Sequence, residues 1–409
     1  MTTDAVATTD AIRPGQPWLD TNGERIQAHG GSLFFEDGVF TWYGENKERT
    51  TPGSGNWHWG VRAYTSTDLY NWDDVGLIIP PVLDDPSSPL HPAQKMDRPH
   101  IIFNERTGTY VCWLKVMGDG AHDTQASTVL TSDSLLGPYE IVRAGLTPLG
   151  MSAGDFDLVV DPETRKAYSF FEKVHTDLIC AELTDDFTDV SGEYSTHFPH
   201  PSPPFTREAP AHFERNGTHY LVTSGSTGYF PNFSEFASAP DYHGPWTVLG
   251  DAHPDDPSRT SYRSQISSVF KHPHKRDLYI ALADRWLPQL PDDMPSVYDS
   301  VAAMAQGAAR PEMTPEQTAS MAAVTAAGRG ENTAIADYVW LPIRFDAGVP
   351  RIDWHDEWRI EEFDEPSPLL WRSDSDDEGS GGPVIRGGTG APGDAIGSTA
   401  RFHPAQKPP

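Results

Sequence analysis

Cysteine is nearly missing from this chain. Its 409 residues hold only Cys112 and Cys180, too few for a disulfide framework, and no Cys/His zinc spacing occurs. Both fall in apolar, strand-like runs and read as small buried hydrophobes. Basic residues are scarce too: 30 Lys and Arg face 59 Asp and Glu, a formal net charge of −29. Nucleic-acid binding draws its affinity from cations on phosphates, so that class is excluded, as is adhesion to an anionic membrane. No run approaches the ~20 apolar residues of a membrane span. Residues 1–15 are polar and Thr/Ala-rich, with no basic start and no apolar stretch, so no signal peptide is legible and a cytoplasmic protein is expected. The acidic excess is partly concentrated: eleven Asp/Glu lie between Asp353 and Glu378 against Arg359 and Arg372, a run that reads as solvating.

What is present is repetition. Five times an apolar run meets a tight polar turn and then a run rich in Tyr, Phe and Trp: residues 33–43, 101–114, 158–171, 211–223 and 269–283. Apolar residues flanking Asp-Gly, Thr-Gly and Asn-Gly read as β-hairpins, because Gly supplies the positive φ that such turns need. A second hairpin-like phrase follows each (61–72, 127–139, 178–194, 236–246 and 339–354). Two phrases per unit make about four strands, and units of roughly fifty residues of this kind are the signature of a β-propeller. The expected fold is all-β, a five-bladed propeller over residues 16–365, with a disordered leader at 1–15 and a disordered acidic, Gly- and Pro-rich tail at 366–409. Within the last blade, about residues 288–336 turn Ala- and Met-rich. Thr314-Pro315-Glu316-Gln317 is a capping box that predicts a helix over 315–327, and 296–306 is a second candidate. This helical insertion covers the pocket, makes a subunit contact or decorates the surface.

A polar residue stands just before the innermost strand of every unit: His29, Asp97, Asp155, Glu208 and Gln265. Radial symmetry should bring these five into one central pocket. Any one carboxylate alone reads first as a turn or cap residue; the shared register is what argues for a site. Converging carboxylates repel, which raises at least one pKa. A neutral Glu beside an ionised Asp is what glycosidic bond cleavage requires, one group to protonate the leaving oxygen and one to assist water. Arg98 and Arg207 adjoin acids and read as scaffolding or as substrate clamps. Trp42, Tyr43, Trp57, Trp59, Tyr229 and Trp286 are candidates for stacking on sugar faces or for core packing.

The chain resembles glycoside hydrolase family 43, most closely its exo-β-1,3-galactanase branch. The resemblance rests on Pro17-Trp18-Leu19-Asp20, Ala28-His29-Gly30-Gly31, Trp42-Tyr43-Gly44-Glu45-Asn46-Lys47 and Asp97-Arg98-Pro99. It continues through Arg207-Glu208-Ala209-Pro210, Thr223-Ser224-Gly225-Ser226-Thr227-Gly228-Tyr229, Ser264-Gln265, Asp284-Arg285-Trp286 and Tyr338-Val339-Trp340-Leu341-Pro342. It implies a five-bladed propeller that hydrolyses with inversion, with Glu208 as general acid, Asp155 as the carboxylate that raises and orients it, and Gln265 as holder of the water. The usual basic Asp of the first blade is replaced by Ala28-His29-Gly30. Glu45 and Asp97 resemble residues that bind the terminal galactose, and either could serve as base instead. His29, Arg98, Thr227, Tyr229, Trp286 and His122 are the further substrate contacts implied. Asp97 stands where the branch usually has Glu, His122 where it has Tyr, and His175-Thr176 where Asn is common. No cofactor or metal is expected; the partner is an oligosaccharide, with no nucleic acid and no membrane. The expected activity is removal of terminal β-1,3-linked galactose from galactan or arabinogalactan fragments. The alternatives are an α-L-arabinofuranosidase, β-galactofuranosidase or β-xylosidase on the same fold, or a non-catalytic sugar-binding propeller.

Overall fold

Two residues with positive φ in succession close a tight hairpin, and the chain supplies them where strands must reverse. Asp37-Gly38 has φ of 52° and 83°, and Asn216-Gly217 has 54° and 74°, the handedness that matches twisted antiparallel strands. The first of these turns joins strands His29–Glu36 and Val39–Glu45, the second Glu208–Arg215 and Thr218–Ser224. A computed structural model describes residues 8–118, 124–200, 202–307, 313–326 and 332–363. They form five antiparallel sheets, each with its strands in sequence order. The sheets span residues 29–79, 95–146, 153–197, 208–251 and 265–352, and are called blades 1 to 5.

The innermost strands are His29–Glu36, Lys95–Asn104, Ala153–Val160, Glu208–Arg215 and Gln265–Lys271. Each contacts the innermost strand of the next blade, and the fifth returns to the first, so the ring closes. The core lies between blades rather than in one centre. Met96, Ile101 and Cys112 of blade 2 pack on Tyr43 and Ile79 of blade 1, and Trp113 of blade 2 packs on Phe156 and Phe171 of blade 3. The seam between blades 5 and 1 is the most aromatic: Trp42, Trp72, Trp340 and Trp358 are all buried, with Trp42 and Trp340 ring centres 4.4 Å apart. Such a seam suits a closure that joins the two ends of the ring, since large rings bury much apolar area per residue.

Ile12 pairs antiparallel with Trp358 at that seam, and Ala11 and Ile12 are buried. Ordered packing therefore begins before residue 16, contrary to the leader expected over 1–15; residues 1–7 of that leader, and the expected tail at 366–409, lie outside the described residues.

The insertion carries both expected helices. α1 is Val297–Ala305, N-capped by Ser296, whose hydroxyl accepts from the Asp299 amide. α2 is Pro315–Ala326, opened by reciprocal bonds between Thr314 and Gln317, the two halves of a capping box. Tyr298 of α1 packs edge-on to Phe233 of blade 4 at 4.6 Å, and over Gly225, where a Cβ would come within 2.5 Å of the ring. α1 thus docks on blade 4 beside the central depression. No helix among the described residues is long and apolar enough to cross a membrane.

Candidate active site

The polar residue that opens an innermost strand is aimed by a local break in register. Pairing shifts between His29 and Ser32, between Asp97 and His100, and between Glu208 and Ala211. In each case the next residue has positive φ: Gly30 at 61°, Arg98 at 56° and Ala209 at 49°. A bulge of this kind turns one side chain out of the ladder, and here the same device recurs in three blades. Gly30 is required for a second reason: a Cβ there would lie 2.6 Å from Glu45 Oε1.

Asp97 and Glu208, aimed by two of these bulges, line one cavity of about 530 Å³ together with Asp155 and Gln265. Glu45, Arg98, Thr227, Tyr229 and Trp286 line it as well, so nine of the eleven expected residues meet there. His29 does not. It is fully buried behind the wall, with Nδ1 2.9 Å from Asp284 Oδ1 and its ring stacked on Tyr338. His122 lies outside the described residues. Of the stacking candidates, Trp42 and Tyr43 belong to the core, Arg49 covers the Trp59 ring, and Trp57 lines the cavity. Arg207 is scaffolding: it donates to Thr223 Oγ1 and Glu235 Oε2.

Asp155 is the most firmly held group. Lys115 Nζ donates to its Oδ1 at 2.6 Å, and Arg98 Nη2 lies 2.9 Å from its Oδ2. Burial alone would push the carboxyl up, but Arg98 and Lys115 outweigh it and hold the pKa well below the usual carboxylate range. Asp97 is held down in the same way, burial being outweighed by Lys115 and Lys47, and its Oδ1 accepts from the Trp57 indole at 2.6 Å. Glu45 sits between Lys47 Nζ at 2.7 Å and the Arg98 amide at 2.9 Å, yet burial pushes it up to about 8.

Glu208 is the opposite case. Burial, then the negative charges of Glu172 and Asp155, raise its pKa well above the ordinary value. It therefore keeps its proton in a cavity whose neighbouring Asp155 is ionised, the pairing an acid-assisted bond cleavage needs.

Gln265 is fixed by three bonds. Its Oε1 accepts from Arg98 Nη2 at 2.7 Å and from the Trp286 indole at 3.2 Å, and its Nε2 donates to Ser224 Oγ at 3.1 Å. Arg and Trp only donate, so the orientation of the amide is set, both lone pairs of Oε1 are engaged, and one Nε2 hydrogen remains for a water or a sugar. In this arrangement Gln265 can orient a water by donating to it; Asp97, held ionised, is a carboxylate able to accept its proton, whereas Glu45, raised to about 8, keeps its own at neutral pH. Thr227 is spoken for as well: its hydroxyl donates to Phe230 O and accepts from Asn232 Nδ2. Trp57, Tyr229 and Trp286 form an aromatic rim, with centre distances of 5.9 Å for the first pair and 5.0 Å for the second.

Sequence reasoning missed Lys47, Lys115 and Glu172, and noted His175 without giving it a part. Lys115 and Glu172 belong to second strands, Thr109–Met117 and Ala167–Lys173. The cross-strand partners of the opening residues give the signal: Asp97 faces Lys115, His29 faces Glu45, Gln265 faces Asp284 and Glu208 faces Ser224. In two of these pairs the charged residue near the end of the second strand, Lys115 or Glu45, lines the cavity; Asp284 instead holds His29 behind the wall.

A family model described as glycosyl hydrolases family 43 matches residues 35–288. A search of the curated proteins finds no match. Among solved structures, the chain is similar to a GH43 β-1,3-galactosidase at 28% identity, with 87% of this chain and 65% of that one covered and a TM-score of 0.69. It thus spans slightly less than two thirds of that protein. It is also similar to a GH43 β-1,3-galactosidase solved with galactodeoxynojirimycin, at 26% identity over 85% of this chain and 100% of that one, TM-score 0.67. An exo-β-1,3-galactanase from Phanerochaete chrysosporium, solved with β-1,3-galactotriose, shares the fold at 23% identity over 86% of this chain and 68% of that one, TM-score 0.68.

Proposed function

The chain belongs to glycosyl hydrolase family 43, and from that premise we propose that it is an inverting exo-glycosidase that removes terminal β-1,3-linked galactose from galacto-oligosaccharides. One observation carries the reading: a proton-retaining Glu208 shares a cavity with an Asp155 kept ionised by two buried cations. In the proposed reaction Glu208 gives its proton to the glycosidic oxygen as the bond to the anomeric carbon breaks. Water held by Gln265 attacks from the other face and passes its proton to Asp97, the carboxylate that Lys115 and Lys47 keep ionised. Asp155 stays charged throughout and supports Glu208 in its protonated form. The galactosidase names of the similar structures support galactose as the sugar, and a 530 Å³ cavity has room for one or two sugar rings.

The test is product analysis by NMR on β-1,3-linked galactotriose. Release of α-galactose from the non-reducing end by the wild type, with a loss of ~10²–10⁴-fold in Glu208→Gln, is the expected result. Undiminished release in that variant would remove Glu208 from its role; release of arabinose or xylose from aryl glycosides in place of galactose would change the sugar.

A further inference from the structure

The cavity is walled unevenly, and the difference lies in the connections between second and third strands. In blade 3 that connection is 174–176 alone. In blades 1, 4 and 5 it is longer, 46–60, 225–233 and 286–336, and each brings an aromatic ring to the cavity: Trp57, Tyr229 and Trp286. The rings touch one another. Trp57 and Tyr229 are inclined by 27° with centres 5.9 Å apart, and the centres of Tyr229 and Trp286 are 5.0 Å apart. Rings in direct contact have centres about 4.5–7 Å apart, so no sugar ring passes between these. Two indole N–H groups pin the row to the floor of the site, Trp57 to Asp97 Oδ1 at 2.6 Å and Trp286 to Gln265 Oε1 at 3.2 Å. The helical insertion stands behind the row. Leu287, Leu290 and Ala336 are buried and pack with Trp286, and Tyr229 and Phe230 lie against them. Both ends of the insertion are tied down: Arg263 donates to the carbonyls of Pro288 and Leu290, and Arg25 and Gln27 donate to those of Ala336 and Ala334.

We propose that this buttressed aromatic wall sets the mode of action: it seals the sector of blades 4, 5 and 1, so that the cavity admits a terminal galactose and excludes a further galactose attached to O3 of that residue. The inference rests on the reading of the protein as a galactosidase with Glu208 as general acid. The bond that breaks then lies at Glu208, and His175, in the short connection of blade 3, is 3.8 Å from its Oε1. The leaving chain extends over blade 3, where the connection is shortest. A further sugar on the non-reducing side would project from O3, away from the anomeric carbon, into the space that Trp57 and Tyr229 fill. The lining contributed by blades 2 and 3 contains no Trp, Tyr or Phe among the described residues, so the rings stand on one side alone. The insertion thereby acquires a task. It holds Tyr229 and Trp286 in place against a sugar that would push between them and Trp57.

The test follows β-1,3-linked galactotetraose labelled at its reducing end, with the wild type, Tyr229→Ala, Tyr229→Phe and Leu290→Ala. In the wild type, labelled trisaccharide should appear first and labelled disaccharide only after a lag, because units leave one at a time. Tyr229→Ala opens the wall, so a two-unit step should yield labelled disaccharide without a lag, its share of the early products rising about tenfold or more. Tyr229→Phe keeps the ring and should keep the lag. Leu290 does not line the cavity; Leu290→Ala should shift the products less, in the same direction, and decides the matter if Tyr229→Ala does not fold. A lag retained in Tyr229→Ala, a lag lost equally in Tyr229→Phe, or a wild type with no lag would each overturn the wall. A folded but inactive Tyr229→Ala would assign the ring to holding the terminal galactose and overturn it as well. A wild type that leaves the tetraose intact would overturn the functional reading and the wall together, whereas an active wild type with those variant results overturns the wall alone.

Discussion

On the cavity wall made by blades 1 and 2, Asp97 and Glu45 lie against Lys47 and Lys115; on the wall made by blades 3 and 4, the basic group within 4 Å of Glu172 and Glu208 among the described residues is His175. Asp155 stands between the walls and takes its cations, Arg98 and Lys115, from blade 2. All five carboxyls are withdrawn from bulk water, so burial pushes every one of them up. What separates them is whether a cation reaches the oxygen. Asp97 and Asp155 are reached by two and fall below the usual range, while Glu172 and Glu208 rise. Glu45 shows the limit of the rule: one lysine is not enough to offset full burial. The lesson is that acid and ionised partner can be the same chemical group, told apart by the strands around them.

The comparison breaks most visibly if Asp155 loses its charge. Asp155→Asn would leave Arg98 and Lys115 facing a neutral amide, and uncompensated buried charge costs about 3–5 kcal/mol. The variant should melt well below wild type and lose most of its activity, because Glu208 also loses one of the charges that keep it protonated. Unchanged stability with unchanged activity would mean that Asp155 is not the anchor of the site. Lys115→Met is the gentler cut. Lys115 is among the groups that hold Asp155 and Asp97 down, so both carboxyls would then protonate at higher pH. The acidic limb of kcat/KM should move up, by about one unit; an unmoved limb would assign the work to Arg98 alone.

How much of this could be read beforehand follows the same division. The five blades were legible because their hairpins use turns such as Asp37-Gly38 and Asn216-Gly217, whose backbone demands are local. The opening residues of the innermost strands were legible from their repeated position. The second strands were not. Lys115 in an apolar strand and Glu172 before Lys173 could equally face solvent, and a shift of one residue in register reverses the face. The bulges that set this register depend on residues such as Arg98 and Ala209 adopting positive φ, which their side chains do not announce. His29 was misread as a pocket residue because its partner, Asp284, lies in another blade and draws the ring behind the wall. The early packing of Ile12 was missed for a similar reason: Trp358, its partner, is at the far end of the ring.

The finest division lies within a single strand. Asp155 and Asp157 are two residues apart on Ala153–Val160, and both are buried. Asp155 meets Arg98 and Lys115. Asp157 accepts from the amides of His212 at 2.7 Å and Leu158 at 2.8 Å, bonds that oppose the effect of burial without cancelling it, and its pKa is pushed up to about 7. Its unfolded value is about 3.9. Between those two pH values the folded chain holds a proton that the unfolded chain has released, so stability contributed at Asp157 falls as pH rises, by at most about 1.4 kcal/mol per unit. Asp155 acts with the opposite sign: its folded pKa is depressed, so its contribution is present above the unfolded value and lost as pH falls below it. Asp157→Asn should therefore flatten the loss of stability between about pH 4 and 7, read from urea unfolding at several pH values, and leave the acid-side loss in place. A variant whose stability profile runs parallel to wild type through that window would mean that Asp157 is already ionised at its lower edge, and that two backbone amides do for it what Arg98 and Lys115 do for its neighbour.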